Sequence, residues 1–141
     1  MIPKTFYKKP KSGVRKSRDS SRSKYHNVSC EYNGFRYRSK LERNRAVDLD
    51  MMLCAGEVLG WTRQVPFYLS NANIKYVADF LVRGIGGKVW IEDTKGYETE
   101  KFKQTVKLWR AYGWLDLHVL VGGNEGKSYI VRPNSLDLSS D

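Results

Sequence analysis

Two cysteines, Cys30 and Cys54, and two histidines, His26 and His118, are all that the 141-residue chain offers in soft metal-ligand chemistry. With no CxxC pair, a tetrahedral zinc site of ordinary spacing is excluded, and a reduced, cytoplasmic setting is expected. No apolar run approaches the roughly 20 residues that a membrane-crossing helix requires. The basic amino-terminal stretch is not followed by the apolar segment of an export signal, so neither a membrane partner nor secretion is expected. Glycine-rich phosphate cradles of the Gly-x-Gly-x-x-Gly or Gly-Lys-Ser/Thr kind are also missing, which leaves nucleotide-dependent chemistry without support. Acidic residues are scarce too, at 15 against 25 Lys and Arg, for a net charge of +10.

That excess charge is concentrated. Residues 1–24 carry nine cations (Lys4, Lys8, Lys9, Lys11, Arg15, Lys16, Arg18, Arg22 and Lys24) against Asp19 alone, a net of +8, and the rest of the chain carries only +2. A Ser-rich arm with so few apolar residues cannot offset its ordering entropy and is expected to be disordered by itself. Polycations of this kind neutralise phosphates and release condensed counterions. The expected organisation is therefore a basic arm over residues 1–24, one folded domain over 25–134 and a flexible tail over 135–141.

Within the folded part, alternating Val28, Cys30 and Tyr32 lead to Asn33-Gly34 and then Phe35 and Tyr37, the pattern of a hairpin with a type I′ turn. Ser39 opens a helix running to about Ala55, with Gly56 just past its end. An extended run from Trp61 to Leu69 contains Pro66, which favours an edge strand or a bulge. Strands over Ile74 to Val82 and Lys88 to Lys95 flank Gly84-Ile85-Gly86-Gly87 and should pair as a second hairpin. A helix with Phe102, Thr105, Val106, Trp109 and Tyr112 on one face follows, and Gly113 ends it. Leu115 to Val121 reads as a buried central strand reached by a crossover, and Tyr129 to Arg132 as a short last one. The order hairpin, helix, hairpin, helix, strand, strand predicts an α/β sandwich around a mixed sheet.

Asp93 and Lys95 end a strand whose Val89, Trp90 and Ile91 are apolar, so two charges at i and i+2 project from one face beside the core. Asp79 has the same problem, set among Val77, Ala78, Phe80 and Leu81. Charge there is costly unless paired or bound to a metal. Carboxylates converging with one ammonium suit phosphodiester hydrolysis, because hard oxygen donors hold Mg²⁺ or Mn²⁺ and the ammonium can steady an attacking water and a charged phosphate. An ordinary salt bridge is the competing reading. If Asp79 and Asp93 face the same way, the turn between their strands must hold an odd number of residues or the ladder must contain a bulge.

Asp79 and Asp93 are separated by thirteen residues, and Ala78-Asp79-Phe80 followed by Asp93-Thr94-Lys95-Gly96 resembles the PD-(D/E)XK nuclease signature, with Ala for the signature Pro. The resemblance takes in Ser39-Lys40-Leu41-Glu42 and Gln64-Val65-Pro66-Phe67, and is closest to small phage-encoded endonucleases and endonuclease I type Holliday-junction resolvases. It implies a restriction-endonuclease-like mixed sheet flanked by helices, with Glu42, Asp79 and Asp93 as metal ligands and Lys95 as the catalytic lysine. The implied activity is Mg²⁺-dependent cleavage of DNA, including branched or junction DNA. Read from the residues alone, Glu42 also completes a capping box with Ser39, yet it shares a helical face with Ala46, Leu49 and Leu53.

Gln64 and Ser39 are candidates for supporting the site. Lys8, Lys9, Lys11, Arg15, Lys16, Arg36, Arg38, Lys40, Lys101, Lys103 and Lys107 are candidate DNA contacts, which would give position rather than sequence choice. Glu92 faces away from Asp93 on an alternating strand and is expected on the second face. Trp61, Trp90, Trp109 and Trp114 are expected in the core or at a homodimer interface, and His118 and the cysteines are expected to pack. The alternative function is a nucleic-acid-binding or host-interaction protein on the same fold without catalysis.

Overall fold

A computed structural model describes residues 30–122 and 127–135. The expected arm, its five candidate DNA contacts and the tail beyond residue 135 lie outside the described residues. The first hairpin joins β1 (Cys30–Tyr32) to β2 (Phe35–Tyr37), and both Asn33 and Gly34 take the positive φ that a type I′ turn demands. Helix α1 (Lys40–Cys54) starts where Ser39 Oγ accepts the Glu42 amide and ends before Gly56, whose φ is +76°. Then come β3 (Val58–Leu69), β4 (Ile74–Gly84), a 3₁₀ turn (Ile85–Gly87), β5 (Val89–Lys95), α2 (Glu100–Tyr112), β6 (Asp116–Val121) and β7 (Tyr129–Val131). The last five strands form one sheet in the order β3-β4-β5-β6-β7, antiparallel except for the β5–β6 pair, so the architecture is α/β with a mixed sheet.

Each strand position follows from its chemistry. β3 lies at an edge, the kind of strand in which a proline, here Pro66, is tolerated although it lacks its N–H. The parallel β5–β6 pair needs a crossover, and α2 supplies it. β6 is interior, flanked by β5 and β7, with Leu117 and Val119 buried.

The two helices cover opposite faces. Phe102, Val106 and Trp109 of α2 pack with Phe67, Leu69, Ile91, Leu117, Val119 and Val131, whereas Ala46 and Leu49 of α1 pack with Tyr37, Val58, Phe80 and Val82. Adjacent residues of β5 obey this division: Ile91 belongs to the α2 side, and Glu92 bonds Arg45 of α1. Trp109 is buried in the core, and Trp61 and Trp90 pack against the α1-side cluster. Trp61 and Trp90 are half-buried, and Trp114 is 61% exposed.

The β4–β5 register pairs Phe80 with Glu92 and Arg83 with Val89, and the Gly84 amide donates to the Lys88 carbonyl at 2.7 Å. The turn closed by that bond therefore has three residues, Ile85, Gly86 and Gly87, and not the four suggested by the glycine spacing. An odd turn is what places Asp79 opposite Asp93 when the register is continued by one pair.

Candidate active site

A local irregularity, invisible in the alternation of the sequence, shapes the site. Tyr76 and Ala78 lie on the α2 side of β4, but Phe80 and Val82 lie on the α1 side. On β3, Trp61 meets Phe80 and Arg63 lies over the rings of Phe35 and Tyr37, while Val65 and Phe67 join the α2 side. Both strands thus exchange faces between these positions, at Gln64 and Asp79, which the flanking pairs Arg63↔Phe80 and Val65↔Ala78 set opposite each other. Gln64 accommodates the change with φ +54°, a left-handed conformation that non-glycine residues seldom adopt.

Two acids meet at this switch. The amide and hydroxyl of Thr94 both donate to Asp79 Oδ2, at 2.8 and 2.9 Å. Tyr76 Oη donates to Asp93 Oδ2 and Lys95 Nζ to Asp93 Oδ1, each at 2.7 Å. Lys95 also rides 4.6 Å above the Phe102 ring, so α2 helps to hold it. Burial, and then the neighbouring charge of Asp93, push the Asp79 carboxyl up to about 7, against the lowering effect of the Thr94 amide. Burial and Asp93 likewise push the Tyr76 phenol far above its ordinary value, keeping it a proton donor at every physiological pH.

Glu42 is buried and held from two sides. Gln64 Nε2 donates to Oε1 at 2.9 Å, and the Arg38 amide donates to Oε2 at 3.1 Å. The capping box is therefore half formed: Ser39 caps the helix, but the glutamate accepts the amide of Arg38 rather than that of Ser39. Glu42 contributes to raising the Asp79 carboxyl, though less than Asp93 does. The structure thus brings Glu42, Asp79, Asp93, Lys95 and Gln64 into one region. A cleft of about 440 Å³ opens there, lined by Arg38, Ser39, Glu42, Asp79, Thr94 and Lys95, with Leu41, Gly96, Tyr97 and Thr99 completing it.

The donor chemistry fits a hard divalent cation. Asp79 and Asp93 are close enough to compete for a proton, and a cation between them would remove the repulsion that raises Asp79. Among the described residues no group of three or more Asp, Glu, His or Cys stands arranged to hold an ion. Two carboxylates plus substrate oxygens nevertheless meet the ordinary demand of Mg²⁺.

Glu92 takes the other face as expected. Arg45 donates to both its oxygens at 2.7 and 2.8 Å, and Trp90 Nε1 adds a third bond at 3.0 Å. Of the other candidate cations, Arg36, Arg38, Lys40, Lys101, Lys103 and Lys107 are all exposed, with Arg38 on the cleft and Lys103 paired to Glu100 at 2.8 Å. Sequence reasoning missed Tyr76 and Thr94. Thr94, within Asp93-Thr94-Lys95, was open to inspection, but only the register shows that it meets Asp79. Among the described residues no helix is long and apolar enough to cross a membrane.

A family described as "protein of unknown function (DUF1064)" matches residues 22–122. No curated protein and no solved structure matches the chain.

Proposed function

Starting from a chain that belongs to the DUF1064 family, we propose a divalent-metal-dependent endonuclease that hydrolyses DNA phosphodiester bonds, branched DNA included. One observation carries the reading. Asp79, on a solvent-open cleft, and Asp93, buried beside it on the adjacent strand, raise each other's cost of ionising, and the Lys95 ammonium, which also lines the cleft, is bound to Asp93. A purely structural ion pair would satisfy Asp93 with Lys95 and leave no reason to bury a second acid alongside.

A divalent ion held by Asp79 and Asp93, with Glu42 near them, would neutralise phosphate charge and make a bound water more acidic. The protein's own groups do the rest. Tyr76 and Thr94 fix the two carboxylates before substrate arrives, which lowers the reorganisation needed during reaction. Lys95 Nζ, tethered by Asp93 and the Phe102 face, would donate to the attacking water and to a non-bridging phosphate oxygen. Arg38, at the cleft, and the exposed Lys40 and Lys101 supply positive charge for the flanking phosphates, with the cations of residues 1–24 as further contacts.

The test incubates purified protein with Mg²⁺ or Mn²⁺ and duplex, single-stranded, flap and four-way-junction DNA, beside Asp93→Ala. Wild type should cut at least one substrate, and Asp93→Ala should lose at least a thousandfold in rate while binding DNA as tightly or more tightly. Cutting that survives Asp93→Ala would refute the reading. Binding without cutting by wild type would point instead to the non-catalytic nucleic-acid-binding alternative.

A further inference from the structure

Tyr97 stands out on the cleft. It is 79% exposed, the highest exposure of any large apolar or aromatic side chain among the described residues, and it lines the same cleft as Glu42, Asp79 and Lys95. Only Gly96 separates it from Lys95. Leu41, itself 36% exposed, adds apolar surface to the cleft, and its Cδ1 lies 3.6 Å from where a Gly96 side chain would begin. A side chain so open to water contributes little to packing, so its place beside two acids and a cluster of cations calls for a ligand with a flat apolar face and a negative charge.

We propose that Tyr97 is the platform on which an unpaired nucleobase stacks, beside the phosphate to be cut, so that the substrate is DNA whose cut strand is single-stranded or splayed at that point. The inference rests on the nuclease reading of the same cleft and narrows its substrate class. In a continuous duplex both faces of every base are covered by its neighbours, and a side chain approaching the backbone meets only phosphate and sugar. An aromatic ring at the cutting site can therefore gain from stacking only when a base has left the helix. The cleft volume of about 440 Å³ lies in the range that encloses a small-molecule-sized group, which one extruded nucleotide is. Exposed Arg38, Lys40 and Lys101 match the negative charge of the backbone.

The experiment uses the whole 141-residue chain in EDTA, so that binding is read without cutting. Affinities are measured by anisotropy for a single-stranded oligonucleotide, the matching duplex and a flap, with 2-aminopurine placed at the unpaired position as a stacking reporter. Tyr97→Ala should weaken single-strand and flap binding by roughly tenfold or more, as expected for one stacked base, and should abolish the change in 2-aminopurine emission on binding. Duplex affinity should move by less than about a third of that factor. Tyr97→Phe, which keeps the ring and loses the hydroxyl, should behave as wild type. Equal losses on all three DNAs, no loss on any, or a Tyr97→Phe defect matching that of Tyr97→Ala would each overturn the proposal. Melting midpoints of the variants, expected to equal wild type at so exposed a position, separate lost stacking from lost folding. A cleavage assay with Mg²⁺ then divides the two readings. Tyr97-dependent single-strand binding by a protein that cuts nothing would remove the nuclease and leave the platform, while cutting that ignores Tyr97→Ala would do the reverse.

Discussion

Tyr76 and Asp93 are joined across β4 and β5 by a 2.7 Å hydrogen bond from phenol to carboxylate, and Lys95 takes the other oxygen of the same group. Asp93 is thereby gripped at both oxygens by donors that do not ionise at neutral pH in the first case and carry a full charge in the second. Groups that orient a metal-binding carboxylate typically contribute 10- to 100-fold in metal affinity or activity. Tyr76→Phe, which preserves the ring contact with Trp109, should therefore raise the Mg²⁺ concentration for half-maximal cleavage by about tenfold. Its effect on DNA affinity in EDTA should be negligible. A variant indistinguishable from wild type across the Mg²⁺ titration would remove Tyr76 from the site.

Asp79 makes stability fall with rising pH when no metal is present. Its carboxyl is pushed up to about 7 in the folded protein from an ordinary 3.8. Between those values the native state holds a proton that the unfolded chain has released, so stability is fully present below the lower value and is lost as pH climbs through the upper one. Asp79→Asn keeps an oxygen for the Thr94 amide and hydroxyl and cannot ionise. In EDTA its melting midpoint should match wild type near pH 4 and exceed it by several degrees at about pH 8. Added Mg²⁺ should raise the wild-type midpoint and leave that of Asp79→Asn unmoved. Parallel pH profiles for the two proteins would contradict the assignment.

Arg45 and Glu92 form the ion pair between α1 and β5, with Glu92 only 1% exposed. Arg45→Ala strands that carboxylate with a lone indole donor, a kind of change that costs about 3–5 kcal/mol in buried pairs. Because the Arg45 head is 23% exposed, the lower end is expected. Urea unfolding would measure it. Among molecules that remain folded, cleavage per molecule should be unaltered, which separates this pair from the Asp93–Lys95 pair on the other face.

Gly113 closes α2 against Trp109. A Cβ there would stand 2.5 Å from the Trp109 carbonyl oxygen and 2.6 Å from its fully buried ring. Neither a backbone oxygen nor a ring packed against Phe67 and Tyr76 can move cheaply. Gly113→Ala should lose about 1–3 kcal/mol by overpacking, visible as a lower urea midpoint with an unchanged slope.

Much of this fold could be read from residue order. Asn33-Gly34 demanded its turn, Ser39 and Gly56 bracketed α1, and Pro66 marked an edge strand, because each is dictated by local backbone chemistry. The second face for Glu92 followed from simple alternation. Positions set by long-range packing were less legible. Leu53 and Tyr112 continue apolar stripes by spacing, yet they are 41% and 52% exposed, since nothing covers those helix ends among the described residues. Trp114 touches Phe67 edge-on yet is 61% exposed, so it lies outside the core. The face exchange at Gln64 and Asp79 had no sequence signal, because glutamine is not a residue that announces a left-handed backbone. Tyr76 was equally hidden, three residues from Asp79 in a run where a tyrosine reads as core.

The three-residue turn of Ile85, Gly86 and Gly87 has a consequence for how such chains can change in length. A residue added between Gly86 and Gly87 only lengthens the loop and leaves every pair of the ladder as it is. A residue added within β5, between Val89 and Glu92, shifts the alternation beyond it, turning Asp93 and Lys95 toward α1 and Glu92 away from Arg45 unless a bulge absorbs it. Changes of length at this hairpin should therefore be tolerated in the turn and silence the protein when they fall in the strand.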